Sequence, residues 1–184
     1  MSSPEEFRAA FAPDGVVTFP PTAVSSLPIA AADADWLLRV GLPRSAAPFL
    51  DFGGKHEINI PTVTELWGVK ECSQYRAIGS NGSGDPIAID TASGEIVYLN
   101  HDNAFQRVFI NSSVTKLAEA LLAYQRLIAE AQAANGPEAF LDGNVPPSSL
   151  SRFVSLLETL DPAALKTGMW AEELEQLEGR AQAG

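Results

Sequence analysis

The stretch that decides the fold runs over residues 75–114 and reads YRAIGSNGSGDPIAIDTASGEIVYLNHDNAFQRVFINSSV. Within it, two short apolar runs, PIAID at 86–90 and EIVYL at 95–99, flank a four-residue link. Such a short link joins neighbouring antiparallel strands, and Gly94 can take the positive φ that a tight turn requires. The stretch is rich in Gly, Ser, Asn and Asp, as active-site loops are. Its pattern nevertheless predicts a unit that builds a sheet.

The second strand of this hairpin is predicted to be covered on both faces. Ile96 and Tyr98 point to one face and Val97 and Leu99 to the other, because side chains alternate along a strand. Apolar residues on both faces are typical of a central strand with packing above and below it. Further strands are predicted at residues 56–60, 75–78 and 107–110.

Beyond the last strand, the apolar period changes from two to about 3.6, which predicts helices. Ser112 or Ser113 caps the first of them, and residues 135–137 end it. Ser148 or Ser149 is predicted to cap the next. Other helices are predicted at residues 30–40 and around Trp170, Leu174 and Leu177. A helix, several strands and then helices, without βαβ alternation, predict an α+β fold with helices packed on a mainly antiparallel sheet.

The length of the chain suits one compact domain. It has 184 residues, of which 46% are hydrophobic, enough for a sizeable core. Residues 1–29 hold several prolines among scattered apolar residues, and we interpret them as an N-terminal arm. Residues 30–184 are then predicted to form a single α+β domain.

Charge restricts the class of partner. The chain has 23 acidic residues against 12 lysines and arginines, a formal net charge of −11. This balance disfavours binding to nucleic acid or to an anionic membrane surface and favours a basic protein partner, although acidity also serves solubility. With Cys72 as its one cysteine the chain forms no internal disulfide, which fits a cytoplasmic protein. No apolar run is long enough to predict a membrane span.

Several kinds of chemistry lack their sequence signals. The Gly-rich loop at 79–84 has neither the Lys of a phosphate loop nor a helix after it. His56, His101 and Cys72 are not spaced as metal ligands. A Cys72–His101 nucleophilic dyad and a pair of carboxylates remain open as the basis of a hydrolase hypothesis. We therefore expect no catalytic residue, no cofactor and no metal.

Exposed acids are the stronger lead. Asp85, Glu95 and Asp102 lie near the predicted hairpin, and we interpret them as candidate contacts with a basic partner. A second group of acids lies opposite the apolar stripe of the last helix: Glu172, Glu173, Glu175 and Glu178. Singly, each is an ordinary solvated residue; together they give an acidic exterior.

Several motifs, in order, resemble the SUKH superfamily of bacterial immunity proteins, closest to its actinobacterial subgroup numbered four. They are Leu42-Pro43 with Pro48-Phe49-Leu50, Tyr75-x-x-Ile78-Gly79, Gly84-Asp85-Pro86-Ile87-x-Ile89-Asp90, Ser93-Gly94-Glu95-Ile96 with Tyr98, Phe109-Ile110-Asn111-Ser112-Ser113, and Asp161-Pro162-Ala163-x-x-Lys166-x-Gly168-x-Trp170.

The resemblance covers most of residues 30–177. It implies a SUKH-like α+β fold and a non-enzymatic protein that binds and neutralises a cognate polymorphic toxin, often a nuclease or deaminase. It supplies no catalytic residue. The alternatives are a regulatory protein-binding module on the same fold and a small hydrolase dependent on carboxylates or Cys72.

Overall fold

The structure, a computed structural model, describes residues 2–54 and 58–183. Its helices are α1 (Pro4–Ala10), α2 (Pro21–Val24), α3 (Ala31–Arg39), α4 (Val63–Trp67), α5 (Val114–Asn135), α6 (Pro147–Leu160) and α7 (Met169–Ala183). Its strands are β1 (Val16–Val17), β2 (Leu42–Pro43), β3 (Ser45–Ala46), β4 (Leu50–Phe52), β5 (Tyr75–Asn81), β6 (Pro86–Asp90), β7 (Ile96–Asn100) and β8 (Gln106–Asn111). This is an α+β fold, as predicted.

The main sheet is a six-stranded antiparallel meander in the order β3-β4-β5-β6-β7-β8. The predicted hairpin is confirmed as β6–β7, in which Ile87 pairs with Tyr98 and Gly94 has φ 79°. The strand predicted at 56–60 is wrong where it can be judged. Ile58 and Asn59 form a turn, while its first two residues lie outside the described residues. The buried Ile60 has φ 43°, which an extended strand does not allow.

Both faces of the sheet are covered, because its central strands alternate between two apolar layers. On one face, buried isoleucines from β5 to β8 pack into the main core beneath the helices: Ile78, Ile87, Ile89, Ile96 and Ile110. On the other, Ala77, Ala88, Val97 and Leu99 form a smaller core with Val63 of α4 and with Cys72. The prediction that β7 is covered on both faces is thereby confirmed.

The N-terminal residues contribute to the main core. Phe7 and Phe11 are buried, with ring centroids 5.0 Å apart, and Phe7 also meets Trp36 of α3 edge-on. Strand β1 pairs with β2, so Val17 lies beside Leu42. The division between an arm at 1–29 and a domain at 30–184 stays a prediction, although the residues before 30 are packed against those after it.

The long helix α5 has the predicted boundaries. The Ser113 hydroxyl accepts a hydrogen bond from the Lys116 amide, and the helix ends at Asn135 before Gly136. The predicted cap of α6 is wrong: Pro146 holds the cap position and Pro147 begins the helix. Proline suits a first helical turn because its fixed φ is helical and its missing N–H has no partner there anyway.

A buried carboxylate ties the sheet to the helices. Asp161, which follows α6, accepts hydrogen bonds from the Ser112 amide (2.8 Å), the Ser112 hydroxyl (2.6 Å) and the Asn111 amide group (3.1 Å). Lys116 Nζ lies 3.4 Å from the same carboxylate. Burial opposes ionisation, but these hydrogen bonds and the Lys116 charge hold the pKa of Asp161 below its ordinary value.

Helix α7 is held in place by Trp170 and Gly168. The buried indole Nε1 of Trp170 donates to Asn111 Oδ1 at 3.0 Å. Gly168, at φ 95°, lies so close to β8 that a Cβ there would stand 2.2 Å from the Phe109 carbonyl oxygen. Within the described part of the chain, none of the helices combines the length and apolarity that crossing a bilayer requires.

Candidate partner-binding groove

An open groove of about 550 Å³ is lined by the β3–β4 hairpin, by one residue each of β5 and β7, by α5, by the loop after α5 and by α7. Six segments far apart in sequence therefore build one concave surface. Its lining is mainly apolar, with charged and amide side chains from α7 and α5: Ser45, Ala46, Ala47, Pro48, Phe49, Leu50, Asn81, Tyr98, Tyr124, Ile128, Gln132, Phe140, Leu141, Met169, Glu172, Glu173, Gln176 and Arg180. We refer to this surface as the groove.

Two large apolar side chains of the groove are exposed. Phe49 is 81% exposed and Leu141 is 66% exposed, although most side chains of their size are buried in this protein. Phe49 has φ 60°, a conformation that costs a non-glycine residue about 1–2 kcal/mol. A Cβ placed on Gly82 would stand 3.0 Å from the Phe49 Cβ, so the base of this side chain lies against a glycine of the β5–β6 loop.

The floor of the groove contains a charged network around Tyr124. The Tyr124 hydroxyl donates a hydrogen bond to Glu173, whose carboxylate lies 3.5 Å from Arg180. Burial, followed by the hydrogen bond and charge of Glu173, raises the pKa of Tyr124 far above its ordinary value. The ring of Tyr124 packs against Phe140 and Trp170 with centroids 5.5 Å and 5.3 Å away. Tyr124 therefore stays neutral.

Glu172 adds a negative charge to the lining of the groove. Burial raises the pKa of Tyr98, and the charges of Glu172 and Asp85 raise it further. Glu172 is exposed and makes no ion pair with any residue among those described. Arg180, the cation that lines the groove, is engaged by Glu173. The groove thus combines an apolar lining with an uncompensated carboxylate.

The structure places Asp85 inside the protein, contrary to the prediction that it is an exposed contact. Asp85 is 5% exposed, and its Oδ1 accepts from the His101 amide at 2.9 Å and lies 2.6 Å from the His101 ring Nδ1. Asn81 donates to its other oxygen. Burial works against ionisation, but these hydrogen bonds lower the pKa of Asp85. Asp85 therefore contributes a negative charge near Tyr98 without reaching solvent.

The other two predicted contacts lie near the surface. Asp102 is an exposed side chain, 86% accessible, 3.4 Å from His101 Nε2. Asp85 and Asp102 are therefore brought to the same imidazole ring. Glu95 is partly exposed and pairs with Arg107 across the β7–β8 hairpin. Neither Glu95 nor Asp102 lines the groove.

The structure provides no support for a Cys72 nucleophile. Cys72 is 4% exposed and packed in the smaller core, and burial raises the pKa of its thiol. The His101 ring is held by Asp85 and Asp102 instead. In residues 2–54 and 58–183, no three His, Cys, Asp or Glu side chains are grouped so as to hold a metal ion.

The Gly-rich loop is a structural turn. Part of it, through Asn81, belongs to β5. The Asn81 side-chain oxygen accepts hydrogen bonds from the amides of Ser83 (3.0 Å) and Asp85 (2.9 Å). These amides, which a phosphate site would need, are thus already used within the loop.

Sequence reasoning missed the groove itself. Its signal was weak: Phe49 follows a proline and Leu141 lies in a polar loop, and a lone exposed apolar residue is ordinary. Only the fold brings the two side chains to one surface. Glu172 and Glu173, two of the acids identified in the sequence, also line the groove.

Comparison with known families gives one result. The family model described as SUKH-4 immunity protein matches residues 3–176, which is nearly the whole chain. No curated protein and no solved structure matches significantly.

Proposed function

Because this chain belongs to the SUKH-4 immunity protein family, we propose that it protects its host by binding a cognate polymorphic toxin, a basic nuclease or deaminase, in the cytoplasm. The observation that carries the proposal is the family match over residues 3–176. The protein acts by occupying the toxin surface and performs no chemistry of its own.

Charge supports a basic toxin. The net charge of −11 attracts a cationic domain at long range and accelerates encounter by electrostatic steering. Toxins that act on nucleic acid need a positive cleft for the phosphate backbone. An acidic protein seated over such a cleft competes directly with the substrate. Binding alone is then sufficient for neutralisation.

The exposed acids provide contacts for this encounter. Asp102 and Glu95 lie at the two ends of β7, and Glu172 lies on α7 beside the groove. Asp85 is buried and acts only through its field and by holding His101 in place. We therefore assign Asp102, Glu95 and Glu172 to the toxin-facing surface and assign Asp85 a supporting position.

We expect the adjacent gene to encode the toxin domain, and the test is co-expression of the protein with that domain. We expect the wild-type protein to restore growth of cells that produce this domain and to co-purify with an inactive form of it. A toxin domain from an unrelated system is the control, which the protein should neither bind nor neutralise. If the adjacent domain is not bound and its toxicity is unchanged, the proposal is wrong.

A further inference from the structure

We propose that the groove binds one segment of the toxin and anchors it. This segment has a large apolar side chain and, within one helical turn before or after it, a Lys or Arg. The apolar side chain enters between Phe49 and Leu141, and the cation pairs with Glu172. This inference rests on the proposed function, because it names the part of the toxin that the groove holds.

The groove exposes large apolar side chains to solvent. Phe49 and Leu141 are two of the three large apolar side chains most exposed to solvent among the described residues, and both line the groove. Exposed apolar surface that borders a concave, mainly apolar cavity marks a binding site more often than scattered residues do. Aromatic anchors with little freedom are also the side chains that dominate interface energies.

The backbone conformation of Phe49 also favours a binding site at the groove. Its φ of 60° is unfavourable for an aromatic residue, and the exposed ring gains little from burial in return. Strain of this kind is concentrated at binding and catalytic sites.

The negative charge of Glu172 favours a cationic segment in the groove. Glu172 is exposed, lines the groove and is unpaired within the described part of the chain. A cation entering at this point gains a favourable interaction with Glu172, whereas an anionic or neutral segment does not. A second copy of this chain is the wrong partner, because each copy has a net charge of −11 and would place its own Glu172 near the interface.

Affinity measurements with the inactive toxin domain from the adjacent gene test the site. Phe49→Ala, Leu141→Ala and Glu172→Gln are each expected to weaken binding about tenfold or more, the usual effect of losing an interface anchor. The matched controls are Ile58→Ala, an apolar residue 79% exposed outside the groove, and Glu158→Gln, an exposed acid on α6. Both should bind as the wild type does. Circular dichroism and urea unfolding establish that every variant is folded.

Photo-crosslinking identifies the occupant. The Leu141→p-benzoylphenylalanine variant is irradiated in complex with the inactive toxin domain, and the linked peptide is sequenced by mass spectrometry. We expect a peptide with a large apolar residue and a Lys or Arg within about four positions of it, one helical turn. Substituting Glu for that Lys or Arg in the toxin should weaken binding to the wild-type protein. The same toxin variant should not lose affinity for the Glu172→Lys protein.

The outcomes separate the two proposals. If the wild type binds the toxin domain and the three groove variants bind equally well, the groove is not the anchor site, while the immunity function stands. A crosslinked peptide without a nearby cation, or a homodimer that Phe49→Ala disrupts in light scattering, also overturns the inference. If the wild type itself fails to bind, the proposed function is at fault.

Discussion

The indole nitrogen of Trp170 donates a hydrogen bond to the side-chain oxygen of Asn111 at 3.0 Å, in a part of the protein where both residues are fully buried. Asn111 in turn donates to Asp161 at 3.1 Å. A single chain of hydrogen bonds therefore joins β8, the segment after α6 and α7. Because α7 forms one wall of the groove, this chain also fixes the position of Glu172.

Asp161→Asn is expected to lower the free energy of unfolding at pH 7 by about 2–4 kcal/mol. The amide that replaces the carboxylate has one acceptor oxygen, so one of the two donors of Ser112 loses its partner, and the Lys116 charge loses its counterion. Urea unfolding followed by circular dichroism measures the change. Asp14→Asn, at an exposed loop position, is the control. A loss below about 0.5 kcal/mol would mean that the network contributes little.

Acid should lower the free energy of unfolding by protonating the same carboxylate, Asp161. The pKa of Asp161 is lowered in the folded state from an ordinary value of 3.8, so the folded protein binds this proton less readily than the unfolded chain. Its contribution is therefore present above about pH 4 and is lost as pH falls through the folded pKa. The pKa of Asp85 is also lowered, so its contribution to stability is lost in acid in the same way. The stability difference between wild type and Asp161→Asn should shrink between pH 7 and about pH 2.5. A difference that stays constant would contradict this.

Local signals explain which elements could be predicted from the sequence. The β6–β7 hairpin and the start of α5 depend on a short turn and a serine cap, which neighbouring residues determine. The capping box of Thr62 and Glu65, which begins α4, is an equally local signal. The strand expected at 56–60 was wrong where it is described, because alternation over five residues also occurs in turns that bury one side chain, here Ile60.

The candidate site depends on distant residues and was not predictable in the same way. Phe49, Leu141 and Glu172 are separated by tens of residues and meet only through the packing of α5 and α7 on the sheet. Asp85 looked exposed in a Gly-rich loop, but the amide and ring of His101, sixteen residues away, enclose it. Burial of a polar side chain depends on such partners, and a single sequence does not show them.

Alanine substitutions at Gly94 and Gly168 should differ sharply in their cost to stability, although both glycines have positive φ. Gly168→Ala places a Cβ 2.2 Å from the Phe109 carbonyl oxygen, so α7 must shift, whereas Gly94→Ala at φ 79° meets no atom within 4 Å. We expect Gly94→Ala to cost about 1 kcal/mol, the strain of the turn, and Gly168→Ala to cost at least about 2 kcal/mol more. Thermal and urea unfolding compare the two. Equal losses would show that β8 and α7 are not in such close contact.

The surface acids are expected to act on the rate of toxin association. Asp102→Asn removes an exposed charge and should slow association about two- to threefold at low salt, with little effect at about 0.5 M salt. Glu95→Gln should have a smaller effect, because Arg107 already offsets that charge. Asp85→Asn should instead lower stability. Stopped-flow or surface plasmon resonance at two salt concentrations distinguishes these results. An association rate of Asp102→Asn equal to that of the wild type at low salt would contradict this prediction.

Phe49→Gly separates stability from binding at the groove. Glycine adopts φ 60° without steric cost, and the ring it removes is 81% exposed, so little buried surface is lost. The free energy of unfolding should therefore stay the same or rise by up to about 1 kcal/mol, since relief of strain is partly offset by the flexibility of glycine in the unfolded chain.

Toxin affinity of the same variant should fall about tenfold or more, because the apolar anchor is gone. Urea unfolding and calorimetric titration on one preparation measure both quantities. Phe49→Leu, which keeps an apolar side chain and the strained φ, is the control and should retain most of the affinity. A Phe49→Gly protein that is less stable than the wild type would mean that the ring supports the β3–β4 loop and is placed for folding rather than for a partner.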